Sequence, residues 1–448
     1  MPKALSKDVL QEFNNSFESV PRYRLAMNAV SRSGIAAVAL NRQKLPLLNH
    51  SFSHIIKTPK ITDQKRSGRC WLFAGLNTLR LEAAKRMDTA DFDDFELSQS
   101  YLMFWDKLEK ANFFLENIMQ TVEEPVESRL MMWLLADPLP DGGQWDMFVN
   151  LVEKYGVVPK TVMPETYSSS FSGPMNAILV AKLRESAKVL RAIHKKGARV
   201  EEMYQAKQAV LQEIYRILAI HLGLPPKRFV WQWRDTKGEF HRRVDITPLD
   251  FYREFVDFDL DQMVCLINAP TKDKPFGKMY TVQFLGNVVD AREVRYLNVD
   301  INTLKDAALM AVTGGEAVWF GSDVSHMMDR ELGVFDVDIY DYKLVYDTGF
   351  RLDKAERLRY GHSKMNHAMV FTGVDVDDEG RPVKWRVENS WGDKYGDKGY
   401  FVMGDGWFDE YVYEVTVNKK YLPKGLLPVL ETEPVVLPPW DPMGALAR

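Results

Sequence analysis

Apolar residues at 72, 73, 76, 79 and 83 recur at helical spacing, which predicts a helix with one buried face beginning near residue 70. Two longer patterns follow at 176–196 and 199–221. Leu179, Leu183, Val189, Leu190 and Ile193 mark the first, and Val210, Ile214, Ile217 and Leu218 the second. Leu222-Gly-Leu-Pro-Pro ends the second, because proline cannot continue a helix. Residues 229–300 change character. They are rich in aromatic and β-branched residues, are broken by Pro270, Pro275 and Gly277, and read as mixed strand and loop. His367-Ala-Met-Val-Phe-Thr-Gly-Val reads as an apolar strand. Residues 421–448 carry six prolines yet are apolar, with Leu426, Leu427, Val429, Val435, Leu437 and Trp440. That pattern predicts an extended, polyproline-like arm that packs on something, since a disordered linker is more polar.

Composition narrows the class. Apolar residues are 46% and charged residues 27% of 448, as in a globular protein with a large core. A net charge of −4 gives no reason to expect nucleic-acid binding through bulk charge, although a local basic surface stays open. The N-terminus has no apolar signal region, and no run approaches the ~18 apolar residues of a membrane span. Two cysteines exclude a disulfide framework and point to a reducing, cytoplasmic setting. Cys265, in Met-Val-Cys-Leu-Ile, reads as core.

Cys70 reads otherwise. It opens the first helix, where unpaired N–H groups and the helix dipole favour a thiolate. Gln64, six residues upstream, can fold its amide back toward the sulfur and supply one oxyanion donor, with the Cys70 backbone N–H as the other. A lone cysteine is more often a small buried hydrophobe. The downstream segments change the balance: His367 opens a strand, and Glu388-Asn389-Ser390-Trp391-Gly392 follows. An imidazole can take the thiol proton, and the Asn389 side-chain oxygen can orient it. His362, in a loop, is the rival base, and His326 reads as a packed or surface histidine. Asp375–Gly380 faintly resembles a calcium loop, but Arg386 stands where the closing Glu belongs, so a turn between strands is expected. No zinc-like spacing or phosphate loop implies a metal or cofactor.

Gln64, Cys70-Trp71, His367 and Asn389-Ser-Trp-Gly together resemble the active-site blocks of papain-like cysteine peptidases. Asp141-Gly142-Gly143-Gln144 resembles the glycine stretch that pairs with substrate in that family, and Gly314–Gly321 the strand opening its barrel lobe. Ser67 stands where secreted relatives carry a disulfide cysteine. His367 follows Cys70 by 297 residues. Simple relatives need roughly 130–150, so an insertion of roughly 150 residues is implied. The final Trp440–Arg448 stretch, with the insertion and long N-terminus, resembles the bleomycin hydrolase and aminopeptidase C branch over the whole chain.

The resemblance implies an α+β, two-lobed papain-like fold. Residues 1–60 form an N-terminal extension on the catalytic body, 61–172 a helical lobe with Gln64 and Cys70, and 173–305 a largely helical insertion. Residues 306–420 form a barrel lobe with His367 and Asn389, and 421–448 an arm entering the active-site cleft. It further implies a cytoplasmic, homohexameric aminopeptidase of broad specificity, acting on peptides and bleomycin-like amides. Cys70, His367, Asn389 and Gln64 are its expected catalytic residues. Gly142, Gly143, Trp391 and Ala447 are expected to bind substrate, with Trp391 also shielding the Asn389–His367 bond. Arg448 is expected to be trimmed. Two alternatives stand beside this reading: another papain-type acyl-transfer enzyme, amidase or transglutaminase, and a peptidase-fold protein that binds nucleic acid.

Overall fold

A computed structural model describes residues 4–447; Arg448, and with it the expected trimming, lies outside the described residues. The predicted first helix runs Cys70–Arg86. Its one-face expectation is corrected, because Cys70 through Leu81 are buried on all sides. The polar residues on its second face survive burial by finding partners. Asn77 donates to Thr62 Oγ1 at 3.1 Å. Arg80 pairs with Glu388 at 2.7 Å and donates to the Lys60 carbonyl. Gly75 lets the helix Trp145–Tyr155 cross closely, since a Cβ there would lie 2.8 Å from the Phe148 ring.

This helix packs on the strand His367–Val376, the centre of one sheet. Among the described residues the sheet has twelve strands. From the arm inward they are Val435–Leu437, Lys278–Val282, Tyr296–Asn298, Met263–Ile267, Val412–Asn418 and Val318–Ser322. The His367 strand comes next, followed by Pro382–Glu388, Tyr400–Gly404, Val334–Phe335 and Met328–Asp329, with His54–Ile55 paired to the His367 strand at its far end. His367 stands opposite Ser322, and Val370 opposite Glu388. The His367 strand is buried through Val374, which is why its sequence is a continuous apolar run rather than an alternating one.

The two long patterns form helices Gly173–Lys195 and Val200–Leu222, the second capped by Gly223 at φ +84°. Leu179, Leu183, Leu190, Ile214 and Leu218 are buried against the helix Gln99–Gln120, whereas Val189 faces solvent. Residues 229–300 do mix strand and loop. A hairpin, Phe229–Arg234 with Phe240–Ile246, stands apart, but the strands between 263 and 298 join the main sheet. The boundary drawn at 305 falls inside the helix Ile301–Thr313, and strands on both sides of it share one sheet. Asp375 and Val376 end the His367 strand, and Asp377–Gly380 is a turn, closed by Asp377 N–H on the Arg381 carbonyl with Gly380 at φ +78°.

Both ends correct the sequence reading. Helices Lys7–Glu18 and Pro21–Ser33 contain no buried residue. They stand off the body, held at Asp347 by Arg22 and Tyr23, while Ala39 and Leu48 are the parts of the extension that pack inward. The arm is not uniformly extended. Lys424–Glu431 is a 3-10 helix around Pro428, whose ring-fixed φ near −65° suits 3-10 geometry as well as polyproline. Only Val435–Leu437 is a strand, parallel to Lys278–Val282 at the sheet edge. No described helix is long and apolar enough to cross a membrane.

Candidate active site

Cys70 is the first residue of its helix and fully buried. Ala368 N–H donates to its sulfur at 3.4 Å, which seats Sγ at the start of the His367 strand. The backbone N–H groups of Trp71 and Cys70 also favour the thiolate. Burial outweighs all three and pushes the thiol up to about 12. The helix-start N–H groups thus lower the thiol, as its position predicts, and burial opposes them.

His367 is also buried, and the same desolvation pulls its imidazole down to about 4, against the hydrogen bond it donates to Asn389. Asn389 Oδ1 accepts the Ser390 backbone N–H at 2.8 Å, which fixes the amide orientation. That oxygen lies 2.9 Å from His367 Nε2, so Nε2 carries the proton and Nδ1 is the basic nitrogen. Each group alone resists charging. Trp391 covers the imidazole, with ring centroids 4.8 Å apart.

Gln64 is held on three sides. Its backbone N–H donates to the Ser390 carbonyl at 2.8 Å, its Oε1 accepts Ser390 Oγ at 2.6 Å, and its Nε2 donates to the Ser67 carbonyl at 2.7 Å. The amide thus clamps the Cys70 loop to the Asn389 segment, with its second N–H left for another acceptor. Ser67 takes a structural role at the position of the missing cysteine. Its hydroxyl donates to the Gln64 carbonyl and accepts from Arg69 Nε, and Arg69 forms a bidentate pair with Glu165.

The glycine stretch lies beside Trp71. A Cβ on Gly143 would sit 2.5 Å from the Trp71 indole, so only glycine brings this backbone so close. Gly143 N–H donates to the Ala447 carbonyl at 3.1 Å, and the two residues form an antiparallel bridge. Gln144 Nε2 adds a bond of 2.6 Å to the Ala445 carbonyl. The end of the arm therefore lies on the strand-like edge that begins at Gly143, with Ala447 buried. A cavity of about 310 Å³ remains between Gly444–Leu446, Met365–Asn366 and the Phe114 and Trp133 rings.

Beneath this edge is a charge network that sequence reasoning missed. Lys107 pairs with Asp141 at 2.6 Å, and Lys110 pairs with Asp106 while donating to the Gly142 carbonyl. Asp141 also accepts Gly68 N–H, Ser172 Oγ and Asn176 Nδ2, and its carboxyl is held well below the usual range by Lys107 and these donors, despite burial. The available signal was Asp106, Lys107 and Lys110 amid the apolar residues of the helix Gln99–Gln120. His362 is exposed, and its ring lies on His326, which pairs with Asp323; both stand outside the Cys70 pocket.

Residues 4–444 match the peptidase C1-like family. Aminopeptidase C of Lactobacillus delbrueckii subsp. lactis is 45% identical over 450 residues, covering 100% of this chain and 99% of the relative. Bleomycin hydrolase of Mus musculus is 44% identical over 453 residues, with 99% of each covered. The crystal structure of PepW from Lactobacillus rhamnosis HN001 superposes with a TM-score of 0.97 at 48% identity, with all of both chains covered. The papain-like architecture of mixed helix and sheet and the full-length matches agree: the chain belongs to the peptidase C1-like family.

Proposed function

We propose that the protein is a cysteine aminopeptidase of broad side-chain tolerance that releases residues one at a time from peptide N-termini, and that it also opens bleomycin-like amides. Cys70 is the nucleophile. Its proton passes to His367 Nδ1 as Sγ attacks the carbonyl, and Asn389 holds the ring through Nε2. The Cys70 backbone N–H and the second N–H of Gln64 hold the oxyanion. The imidazolium then protonates the leaving amine, and the neutral ring activates water against the thioester.

The observation that carries the exopeptidase part is the bond from Gly143 N–H to the Ala447 carbonyl at 3.1 Å. An open cleft binds substrate on both sides of the nucleophile and cuts internally. Here the arm occupies the backbone donor that substrate residues N-terminal to the scissile bond would use. On this reading Arg448 is removed, and the terminal carboxylate left on Ala447 pairs with the ammonium of the substrate's first residue. Assembly into a homohexamer fits the same reading. Leu10, Phe13, Phe17 and Leu25 on the standing-off N-terminal helices are exposed, and a second copy is the occupant proposed for them. The cytoplasm is the proposed location.

Digestion of a mixed peptide library, with products read by mass spectrometry at successive times, tests the reading. Stepwise loss of single N-terminal residues is expected, with N-acetylated peptides left intact. Internal fragments at early times would overturn it, and ammonia released from glutamine peptides without cleavage would point to acyl transfer instead.

A further inference from the structure

Arg330 has no role in the reading above, yet it stands beside the reacting pair. Its guanidinium carbon lies 4.5 Å from the Trp391 ring and 4.3 Å from the Tyr395 ring. Trp391 in turn covers His367 at 4.8 Å. The cation is therefore no farther from the imidazole than those two stacking distances laid end to end, and its positive charge adds to burial in lowering the imidazole pKa. Arg330 is exposed and, among the described residues, makes no ion pair, although Asp329 is adjacent and Asp393 and Asp397 lie in the neighbouring loop. Asp329 is engaged instead with Leu332 N–H and the Tyr340 hydroxyl.

Two aromatic faces fix this guanidinium in place. Stacking leaves the N–H edge of the fork open, and a fixed fork matches a carboxylate in bidentate geometry. Ring stacking also lowers the entropy lost when the contact forms.

The position indicates which part of a substrate would meet it. The arm holds one side of the Cys70–His367 pair, through Gly143 and Gln144. On the aminopeptidase reading the chain beyond the scissile bond leaves on the other side, where Trp391 covers His367. Extended chain advances ~3.3 Å per residue, so the carboxylate of a residue one or two places beyond the scissile bond reaches this distance range. We propose that Arg330 is an anion-binding residue of the leaving-group side that recognises the C-terminal carboxylate of di- and tripeptides, making short peptides with free carboxyl ends the preferred substrate class. This inference rests on the aminopeptidase reading. An Arg that only shields Trp391 from water would serve every substrate alike, and that difference gives the test.

The experiment compares kcat/KM of the full-length enzyme for leucyl-alanine with that for leucyl-alanine amide. The wild type is expected to prefer the free carboxylate roughly five- to tenfold, mostly through KM, because the contact is remote from the bond being broken. The preference is expected to shrink as salt rises. R330Q should bring the ratio near one, and R330K should restore part of it. If the wild type cleaves both without preference, or if R330Q lowers both equally, Arg330 is not the carboxylate site while the aminopeptidase reading stands. If the wild type cleaves neither, both fall.

Discussion

Cys70 and Cys265 are both buried, and burial raises both thiols, yet their surroundings prepare them for opposite fates. Three backbone N–H groups aim at Cys70, at a helix start, and a buried imidazole waits at the head of the adjoining strand. Cys265 sits within the strand Met263–Ile267, 3.6 Å from the Thr416 hydroxyl, where Asp146 and Glu414 push its thiol further up. Burial alone therefore says nothing about reactivity. The sign of the local field and a partner able to take the proton make the difference.

The largest expected effect breaks the comparison at its active end. Cys70→Ala and His367→Ala should each lower kcat/KM for a free dipeptide by at least ~10³-fold, because nucleophile and base act as one unit. The circular dichroism spectrum should stay unchanged. Alkylation sharpens the contrast. At pH 7 iodoacetamide should label Cys70 roughly a hundredfold faster than Cys265, as mapped by peptide mass, and His367→Ala should slow Cys70 sharply by removing the proton acceptor. Equal labelling of the two would show that the N–H groups and imidazole confer no special reactivity.

Asn389→Ala should cost less, roughly 10–10²-fold, since it frees a ring that can still move a proton. A loss as large as that of His367→Ala would assign Asn389 a different role. At the quiet end, Glu414 is 1% exposed, its Oε1 has no partner, and burial raises its carboxyl to about 8. Between its ordinary value of 4.5 and about 8 the folded chain keeps this proton while the unfolded chain releases it. Stability from this group is thus complete below 4.5 and lost as pH rises toward 8. Glu414→Gln should leave urea unfolding nearly unchanged at pH 4.5 and raise the midpoint at pH 8; a difference that shrinks with pH would contradict the sign.

What could be read in the chain was local. Cys70, His367, Asn389 and Gln64 lie in short segments whose residue types carry their own chemistry, and the folded chain brings those segments together. What could not be read depends on distant partners. Arg80 and Glu388 are 308 positions apart, so nothing near Arg80 announced that its helix face would be buried. Lys107 on Asp141 and Arg69 on Glu165 are hidden for the same reason. The arm's 3-10 turn was missed because proline's fixed φ serves two backbone shapes equally. The stand-off of the N-terminal helices depends on what lies beneath them, which their own apolar pattern cannot reveal.

The most direct measurement removes the end of the arm. Deleting residues 444–448 frees Gly143 N–H and the surface beside it. The account predicts that cleavage of N-acetylated peptides rises at least ~10-fold, with internal bonds cut, because substrate then binds on both sides of Cys70. A truncated enzyme that still removes only single N-terminal residues would contradict it.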